Sequence, residues 1–552
     1  MSRTWTPPAA DSLYGVPSAS VSAAIQSRLA APPPAPLTAD SWRHVKKLYG
    51  SFGNSLLWLD DKGVHQPRVR ALLLAIANAD SDALSLDAYP LGALASALDT
   101  IDAKGSRPSA EQLARADVLL SASFAALGEN LLTGQLDPAS LNQNWHINPR
   151  EERVDSALVL TLREDDLAGG LARMRPQDPG YDSLRVAFAR FRDLVSTRGW
   201  DSLAVPGGKI LKRGDSAPAS RLDALRVRLS DEGFLGDSPA TPGSARGDSS
   251  RVKPSSRGAN VYDAALAGGV ARFQSHHGIV VDSMLGKETV DAMNVPARYR
   301  LAQIAANLER YRWLPRTLGR RYILVNVPEF RLKAVDSDEG DSLEMKVIVG
   351  QEYQDKATPV FSDSMQFVVF RPYWNVTPEI AQTEIFPKMQ ADSGYLAAND
   401  MEIYDDHGRS AVRQKPGPKN SLGLVKFMFP NDFNVYLHDT PDGQLFKNDV
   451  RAFSHGCIRV EKPAQLAQWV LGWNAERVTQ AMQNGPDNHQ VSLPSKIPVY
   501  IVYFTAYVRG GDLYFGNDLY ARDGAVVDRL ASVAASSPET VRAQQTLRAL
   551  AR

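Results

Sequence analysis

The spacing of hydrophobic positions divides the chain into a helical N-terminal part and a strand-rich C-terminal part. Residues 69–77 and 110–120 carry apolar side chains at the spacing of an amphipathic helix. From about residue 319 the pattern changes to short runs rich in β-branched and aromatic residues, bounded by Pro, Gly and Asp. These runs are residues 322–327, 345–350, 366–370, 435–437 and 499–504. The pattern therefore predicts a multidomain α+β protein with its β-rich domain at the C-terminal end.

Changes in the same pattern give the boundaries of the predicted units. Residues 1–39 are rich in Ala, Pro and Ser and are predicted to be an extended or disordered leader. The other predicted units are a helical scaffold domain (40–214), a three-helix unit (215–295) with a mobile Pro/Gly/Ser-rich loop (237–258), a linking helix (296–318), a β-rich domain (319–525) and a C-terminal tail (526–552). Within the β-rich domain the strand pattern lapses over about 377–420, which predicts a helical insertion projecting from the sheet.

The balance of charge narrows the classes of partner. The 552 residues contain 62 Lys and Arg and 62 Asp and Glu, so the formal net charge is zero. A nucleic-acid-binding surface usually leaves a basic excess, so nucleic acid is not expected as the main partner. The sequence has no run of roughly 20 apolar residues for a membrane helix. It also has no basic start followed by an apolar core, so neither a transmembrane segment nor a secretory signal is predicted.

The chemistry-bearing residues lie in one stretch, between a predicted strand and the single cysteine of the chain. His438 follows the run 435–437, and Ser454-His455-Gly456-Cys457 comes after a polar connection. A thiol is an effective nucleophile as thiolate, which a neighbouring imidazole can produce and then stabilise as imidazolium. Gly456 permits an unusual backbone angle, and the N–H groups of His455, Gly456 and Cys457 are candidates for an oxyanion hole. The sequence thus predicts a cysteine nucleophile, Cys457, with His438 as its base.

Other interpretations of the same residues remain open at this point. A histidine such as His438, taken alone, is more often a core residue bonded to a carbonyl, and a lone cysteine is more often a small buried hydrophobe. His438, His455 and Cys457 also have side chains that bind zinc, although no nearby residue supplies a convincing fourth ligand. No Cys-x-x-Cys or His-Glu-x-x-His is present. The occurrence of two histidines beside the single cysteine favours the nucleophile.

His438 and the run Ser454-His455-Gly456-Cys457 resemble the sequence motif of L,D-transpeptidases with a YkuD-type catalytic domain. Residues 307–315 and 372–378 resemble stretches of the large YcbB-like Gram-negative members. Residues 215–295 are similar to a three-helix peptidoglycan-binding domain, and the helical region before them is similar to that subgroup's scaffold domain. The resemblance implies a β-rich catalytic domain in which Cys457 is the nucleophile and His438 the proton donor and acceptor, without a metal or cofactor.

The resemblance also implies roles for residues around the motif. Many members carry Asn two positions after the cysteine, where this chain has Arg459. A guanidinium here is a candidate to bind a carboxylate of a stem peptide, and a structural ion pair is an equally good interpretation. Tyr373 and Trp374, at the base of the insertion 377–420, are candidates to line a donor channel or to be core aromatics. The insertion itself is the candidate for a lid that excludes water.

The resemblance implies a reaction on peptidoglycan. The expected donor is a tetrapeptide stem, cleaved between diaminopimelate and the terminal D-Ala, and the expected acceptor is the amine of a second diaminopimelate. Carbapenem-type inhibitors are expected to acylate Cys457. The expected location is the periplasm, inferred from the substrate. An L,D-carboxypeptidase, a transpeptidase that attaches a lipoprotein, and a peptidoglycan-binding scaffold without catalysis remain alternatives.

Overall fold

The computed structural model contains helical units in the N-terminal half and a β-rich domain in the C-terminal half. It describes residues 5–7, 11–60, 65–103, 105, 107–141, 145–147, 154–197, 205–235, 260–338, 340–351, 356–530 and 536–552. This organisation confirms the predicted multidomain α+β class. The predicted mobile loop 237–258 lies outside the described residues.

The N-terminal unit is a helical domain built around one long buried helix, α5. Its helices are α1 (Ser18–Ala30), α2 (Ala39–Ser51), α3 (Pro67–Ala77), α4 (Leu91–Asp102), α5 (Ala110–Thr133), α6 (Val154–Arg163), α7 (Leu167–Met174) and α8 (Pro179–Thr197). Three short strands accompany them: β1 (Ser12–Leu13), β2 (Val16–Pro17) and β3 (Trp145–His146). A capping box between Ser109 and Gln112 starts α5. Helices α1–α4, α6 and α7 pack against α5, which therefore forms the centre of this core.

The segment predicted to be a leader is folded over most of its described length. Val21, Ile25 and Leu29 of α1 are buried against α5. These residues are spaced by four and therefore lie on one face of the helix. The prediction of disorder over 1–39 is wrong for this segment. A high content of Ala and Ser does not prevent a helix when tertiary packing of one apolar face stabilises it.

The next unit consists of three helices with a hydrophobic core of their own. They are α9 (Ala219–Asp231), α10 (Ala264–His276) and α11 (Lys287–Met293). Leu225 of α9 and Phe273 of α10 are fully buried in that core. At the C-terminal end of α10, the ring of His276 stacks on Tyr514 with centroids 4.2 Å apart, and its Nδ1 lies 2.9 Å from the carbonyl oxygen of Leu513. The unit is therefore fixed to the C-terminal domain by a specific contact.

The linking helix α12 (Ala297–Arg312) carries buried charges that tie the two halves of the chain together. Arg310 forms an ion pair with Asp523 at 2.6 Å, and both side chains are 0% exposed. Arg312 donates to the carbonyl oxygen of Asp82 in the helical domain at 2.8 Å. Because a buried charge is costly without its partner, these contacts hold the helix in one position between the domains.

The C-terminal domain is built on a sheet whose strand path closes on itself. Its strands are β4 (Arg321–Asn326), β5 (Arg331–Asp336), β6 (Asp341–Gly350), β7 (Val360–Phe370), β8 (Trp374–Asn375), β9 (Met401–Asp406), β10 (Arg409–Gln414), β11 (Val425–Met428), β12 (Leu437–His438), β13 (Ala452–Ser454), β14 (Ile458–Val460), β15 (His489–Val502), β16 (Ala506–Arg509) and β17 (Asp512–Phe515). The main sheet has the order β11-β12-β14-β6-β5-β4-β15-β7-β3, and β11 also pairs with β7. Val347, Leu437 and Ile458 point into the core that this ring of strands surrounds.

The other helices of the C-terminal half lie in the insertion, after β14 and at the end of the chain. They are α13 (Pro378–Ile380), α14 (Phe386–Ala391), α15 (Tyr395–Ala398), α16 (Pro463–Leu471), α17 (Ala475–Gln483), α18 (Gly524–Leu530) and α19 (Pro538–Leu550). Within the predicted tail, α19 packs against α3 and α4 of the helical domain, and Gln544 donates to the carbonyl oxygen of Ala77 at 2.7 Å. No helix among the described residues is long and apolar enough to cross a membrane.

The insertion leaves the sheet between β7 and β11, two strands that pair with each other. Phe370 is opposite Val425, so the insertion takes the place of a hairpin turn. Its helical part joins α13 and α14 through a π-helical stretch, Ala381–Ile385. It also contains a sheet of order β8-β10-β9, which the prediction of a helical insertion does not include. The hairpin β9–β10 turns at His407-Gly408, both at positive φ, and its largely exposed strands have weak apolar alternation.

Candidate active site

Three neighbouring strands place polar side chains on one face of the main sheet. His438 of β12 is opposite Lys426 of β11 on one side and opposite Arg459 of β14 on the other. Paired residues share a face, and neighbours along a strand alternate between faces. Leu437 and Ile458 point into the core. The side chains of Lys426, His438 and Arg459 therefore lie on the opposite, outer face.

Cys457 lies immediately before β14, on the same face as Arg459, at the end of a tight loop. Gly456 has φ +110°, a conformation that favours glycine. A Cβ at this position would meet no atom closer than a carbonyl oxygen at 3.7 Å, so the requirement for glycine is conformational. Thr358 donates to the carbonyl oxygen of Gly456 at 2.9 Å, and Ser454 donates to that of Cys457 at 2.5 Å. These two hydrogen bonds hold the loop in place. The side chain of Cys457 is half-buried.

His438 is a buried, neutral imidazole with a defined tautomer. Its Nδ1 lies 2.6 Å from the carbonyl oxygen of Asp439. A carbonyl oxygen accepts and does not donate, so Nδ1 carries the proton and Nε2 has a free lone pair. Burial, with the neighbouring charges of Arg459 and Lys426, lowers the pKa of His438 to about 3. The side chain is therefore present as a neutral base at physiological pH.

The thiol of Cys457 is held in a different way from the predicted thiolate–imidazolium pair. It donates to the carbonyl oxygen of Asn434 at 3.5 Å. Burial raises the pKa of the Cys457 thiol, while the backbone N–H and the hydroxyl of Tyr436 and the charges of Arg459 and Lys426 act in the opposite direction. The resting site thus contains a neutral thiol and a neutral imidazole, and Asn434 takes the hydrogen bond expected for His438.

Tyr436 is a residue of the site that the sequence analysis did not single out. It lies two positions before His438, on the same face of the sheet, with ring centroids 5.7 Å apart. Its hydroxyl is hydrogen-bonded to Cys457, and the ammonium of Lys426 lies 5.7 Å from the centre of its ring. The period-two alternation of Tyr436 and His438 is a signal that could have identified it.

The insertion contacts residues 454–457, named the catalytic loop here, through an ion pair. Glu384, in the π-helical stretch, lies 2.6 Å from Nε2 of His455, and Lys356 lies 3.7 Å from the same carboxylate. Burial alone would raise the pKa of Glu384. The pKa is nevertheless held below its usual value by the hydrogen bond and charge of His455 and by the charges of Lys356 and Lys388. His455 thus contacts the insertion and stands two residues from Cys457.

The remaining predicted site residues have contacts of other kinds. Arg459 forms an ion pair with the half-exposed Asp442 at 3.3 Å. The ring of Tyr373 lies beneath the guanidinium of Arg413 at 4.3 Å. Trp374 packs against the small hydrophobic cluster of the insertion. Tyr373 and Trp374 therefore have their observed contacts within the insertion and its root.

The loop before Cys457 leaves part of the expected oxyanion hole available. The N–H of Gly456 donates to the hydroxyl of Ser454 at 3.2 Å, so this group is already engaged. The N–H groups of His455 and Cys457 flank it. Over the described ranges, no group of three or more His, Cys, Asp or Glu side chains is placed to hold a metal ion, and His438, His455 and Cys457 do not form one.

Comparisons with known proteins show what this domain is similar to. Residues 320–501, which contain His438 and Cys457, match the YkuD model, described as the L,D-transpeptidase catalytic domain, and residues 43–188 match a scaffold domain model. A Haemophilus influenzae protein named "Putative L,D-transpeptidase" is 32% identical over 242 residues, covering 40% of this chain. The chain spans about half, 48%, of that relative's length. The β-rich part of the chain, residues 320–501, is thus similar to the catalytic domain of YkuD-type L,D-transpeptidases.

Proposed function

We propose that this protein is an L,D-transpeptidase that cross-links peptidoglycan stem peptides through a thioester on Cys457. The observation that carries the proposal is the placement of a half-buried thiol and a neutral imidazole on one face of adjacent strands. Nucleophilic acyl transfer by a thiol uses a neighbouring base of this kind. The catalytic-domain match and the identity with the Haemophilus influenzae protein support the same reaction class.

In the acylation half-reaction, the thiol of Cys457 attacks the carbonyl carbon between diaminopimelate and the terminal D-Ala. His438 Nε2 accepts the thiol proton as the C–S bond forms. The N–H groups of Cys457 and His455 are the proposed donors to the oxyanion. His438 then gives its proton to the nitrogen of D-Ala, the C–N bond breaks, and D-Ala leaves. A thioester between Cys457 and the diaminopimelate carbonyl remains.

The low pKa of His438 shapes how this step occurs. Because the imidazolium is strongly disfavoured in the resting site, a stable thiolate–imidazolium pair is not expected before substrate binds. Proton transfer is instead expected to accompany attack, when the negative charge moves to the carbonyl oxygen. The thiol must also leave its hydrogen bond to Asn434. The thiol is then expected to form a hydrogen bond with His438, because catalytic hydrogen bonds are often long in the free enzyme and become shorter in the substrate complex.

In the second half-reaction, the side-chain amine of another diaminopimelate attacks the thioester. His438 removes the amine proton, the C–N bond forms, and the sulfur leaves with a proton. Water competes for the same thioester, and its success would make the protein an L,D-carboxypeptidase. A closed insertion, held to the catalytic loop by Glu384 and His455, favours transfer because it limits the access of water.

The other units are proposed to bring the domain to its polymer. The three-helix unit is the proposed peptidoglycan-binding element, because its sequence resembles such domains. Arg459 and the aromatic pair Tyr373 and Trp374 remain proposed substrate contacts. Since the polymer lies outside the cytoplasm, the proposed place of action is the periplasm.

The proposal is tested by acylation with a carbapenem followed by intact-protein mass spectrometry. The β-lactam ring opens on attack, so the expected adduct has the full mass of the inhibitor and maps to Cys457. Cys457→Ala is expected to give no adduct. Incubation with tetrapeptide muropeptides then separates transfer, which yields cross-linked dimers, from hydrolysis, which yields tripeptides. A wild-type protein that forms neither adduct nor product would contradict the proposal.

A further inference from the structure

Lys426 is a cation of the site for which the proposed mechanism has no use. It lies on β11, opposite His438, and its side chain is half-buried. Its ammonium faces the ring of Tyr436 at 5.7 Å. Among the described residues, no carboxylate forms an ion pair with it and no acceptor receives its hydrogen bonds. Burying an ammonium without an anionic partner costs free energy, so an anion that binds Lys426 would stabilise the site.

The acidic side chains near Lys426 are already engaged with other groups. Asp439 accepts from the backbone N–H groups of Leu424 and Thr440 at 2.8 and 2.7 Å. Asp442 pairs with Arg459, and Glu384 pairs with His455. The two cations of this face therefore differ, because Arg459 has a protein carboxylate and Lys426 does not.

Stabilising a Cys457 thiolate is the simplest alternative role for Lys426. The charge of Lys426 does favour the anion of Cys457, but burial outweighs it and the pKa of the thiol remains above its usual value. Burial likewise lowers the pKa of Lys426 itself. The lysine is thus poorly placed to generate a thiolate by itself, and an anion brought by the substrate is the better match for its charge.

The order of side chains across the sheet indicates which part of the substrate meets Lys426. Cys457 and Arg459 lie on the β14 side, His438 lies in the middle on β12, and Lys426 lies beyond it on β11. Neighbouring strands are ~4.8 Å apart, so Lys426 and Arg459 are separated by about 10 Å at the backbone. In the proposed mechanism His438 protonates the departing amine. The leaving residue therefore extends from the sulfur past His438, towards Lys426.

We propose that Lys426 is a specificity-determining residue that binds the carboxylate of the departing D-Ala and, in the second half-reaction, the carboxylate beside the attacking amine of diaminopimelate. Both groups present an amine and a carboxylate on the same carbon. One cation beyond His438 can therefore align the leaving amine and the entering amine at the same place. The inference rests on the proposed function, since it assumes that a thioester is formed and that His438 handles the amine.

By microscopic reversibility, the entering amine can be D-Ala itself. Its nitrogen attacks the thioester carbonyl and loses a proton to His438. The C–S bond then breaks, and the proton passes to the sulfur, so that the tetrapeptide is re-formed. Isotope-labelled D-Ala entering unlabelled tetrapeptide follows this step directly. D-alaninamide, which has the same amine and no carboxylate, is the matched probe for the contribution of the anion.

The test compares labelled D-Ala with D-alaninamide as acceptors for the wild-type protein, Lys426→Met, Lys426→Arg and Lys333→Met. Lys333 is a half-exposed lysine on β5 and serves as the control for loss of one positive charge. Lys426→Met is expected to reduce the preference for D-Ala over D-alaninamide by about tenfold or more, the usual effect of losing a charge-assisted hydrogen bond. Lys426→Arg is expected to retain most of the preference, and Lys333→Met all of it. An unchanged preference in Lys426→Met would overturn the proposal.

Alkylation of Cys457 provides a readout that does not depend on the proposed function. Iodoacetate is anionic and iodoacetamide is neutral, and both alkylate the same sulfur. The wild-type protein is expected to react with iodoacetate relatively faster than free cysteine does, and Lys426→Met is expected to lose this advantage at unchanged thermal stability. Equal loss of both rates would assign Lys426 to tuning the thiol and overturn the proposal. If alkylation shows the anion preference while tetrapeptide gives no acyl-enzyme, the proposed function fails and the anion site remains.

Discussion

Breaking the ion pair between Glu384 and His455 is expected to shift the fate of the thioester from transfer to hydrolysis. Glu384→Gln removes the charge of the carboxylate and keeps its shape. The two side chains are 35% and 33% exposed, so solvent screens their 2.6 Å contact. An ion pair of this exposure contributes about 0.5–1 kcal/mol. If that energy favours the closed insertion, its loss raises the ratio of open to closed molecules by ~2–5-fold.

The assay is the ratio of tripeptide to cross-linked dimer formed from purified tetrapeptide muropeptides. Glu384→Gln is expected to raise this ratio by about 2–5-fold, with little change in the rate of carbapenem acylation. Glu379→Gln is the matched control, because Glu379 is an exposed glutamate of the same helical segment. Added salt should move the wild-type ratio in the same direction, since it screens the pair. A ratio that is unchanged in Glu384→Gln, or that falls, would refute the idea that this contact closes the site.

Three further predictions concern the base, the loop and the buried ion pair. Since the pKa of His438 is about 3, its imidazole is neutral at any pH well above that value, so carbapenem acylation should stay nearly constant between pH 7 and 5; a fall of tenfold or more by pH 5 would show an ordinary histidine. Gly456→Ala forces an alanine into φ +110°, at a cost of about 1–3 kcal/mol, and should slow carbapenem acylation as well as lower thermal stability. Acylation at the wild-type rate would show that the loop is not strained. Arg310→Met should reduce the free energy of unfolding in urea by about 3–5 kcal/mol, because Asp523 is left buried and unpaired, whereas the double variant with Asp523→Leu should recover part of the loss.

The low pKa of His438 also makes stability depend on pH. In the unfolded chain the imidazole binds a proton below about pH 6.5, whereas in the folded protein it does so only below about pH 3. The unfolded state therefore binds more protons in this window, and stability falls as the pH decreases through it. The contribution amounts to ~1.4 kcal/mol per pH unit. His438→Gln should flatten this part of the stability profile; an identical slope would show that His438 is not buried in its neutral form.

Five strands of the main sheet, β4, β6, β7, β12 and β15, were predictable because each buries an apolar face. The runs 322–327, 345–350 and 366–370 correspond to β4, the end of β6 and the end of β7. Helix α1 was missed because Val21, Ile25 and Leu29 are sparse among Ala and Ser, and their effect depends on α5, which lies about 90 residues away in the chain. Exposed strands such as β9 and β10 lack the buried alternation on which sequence-based prediction depends.

The candidate site likewise contains residues that were predicted from the sequence and residues that were not. Cys457 and His438 were predicted as site residues because a short motif contains both. Lys426 was not found, since its position beside His438 follows from the register of β11 and β12, and register is not readable from one sequence. Tyr436 was missed although its two-residue spacing from His438 places both on one face. Glu384 reaches the catalytic loop from an insertion 71 residues earlier in the chain. The proposed nucleophile and base are thus close together in the sequence, whereas the groups that contact them are brought in by tertiary structure.

The proposed thioester on Cys457, which forms when D-Ala leaves the tetrapeptide, is detected by mixing the protein with tetrapeptide, quenching in acid and mapping the modified peptide by mass spectrometry. The proposed mechanism predicts a first-turnover burst of one D-Ala for each protein molecule acylated and a thioester on Cys457, with both absent in Cys457→Ala. Release of D-Ala at the wild-type rate by Cys457→Ala, or an acyl group on any other residue, would contradict it.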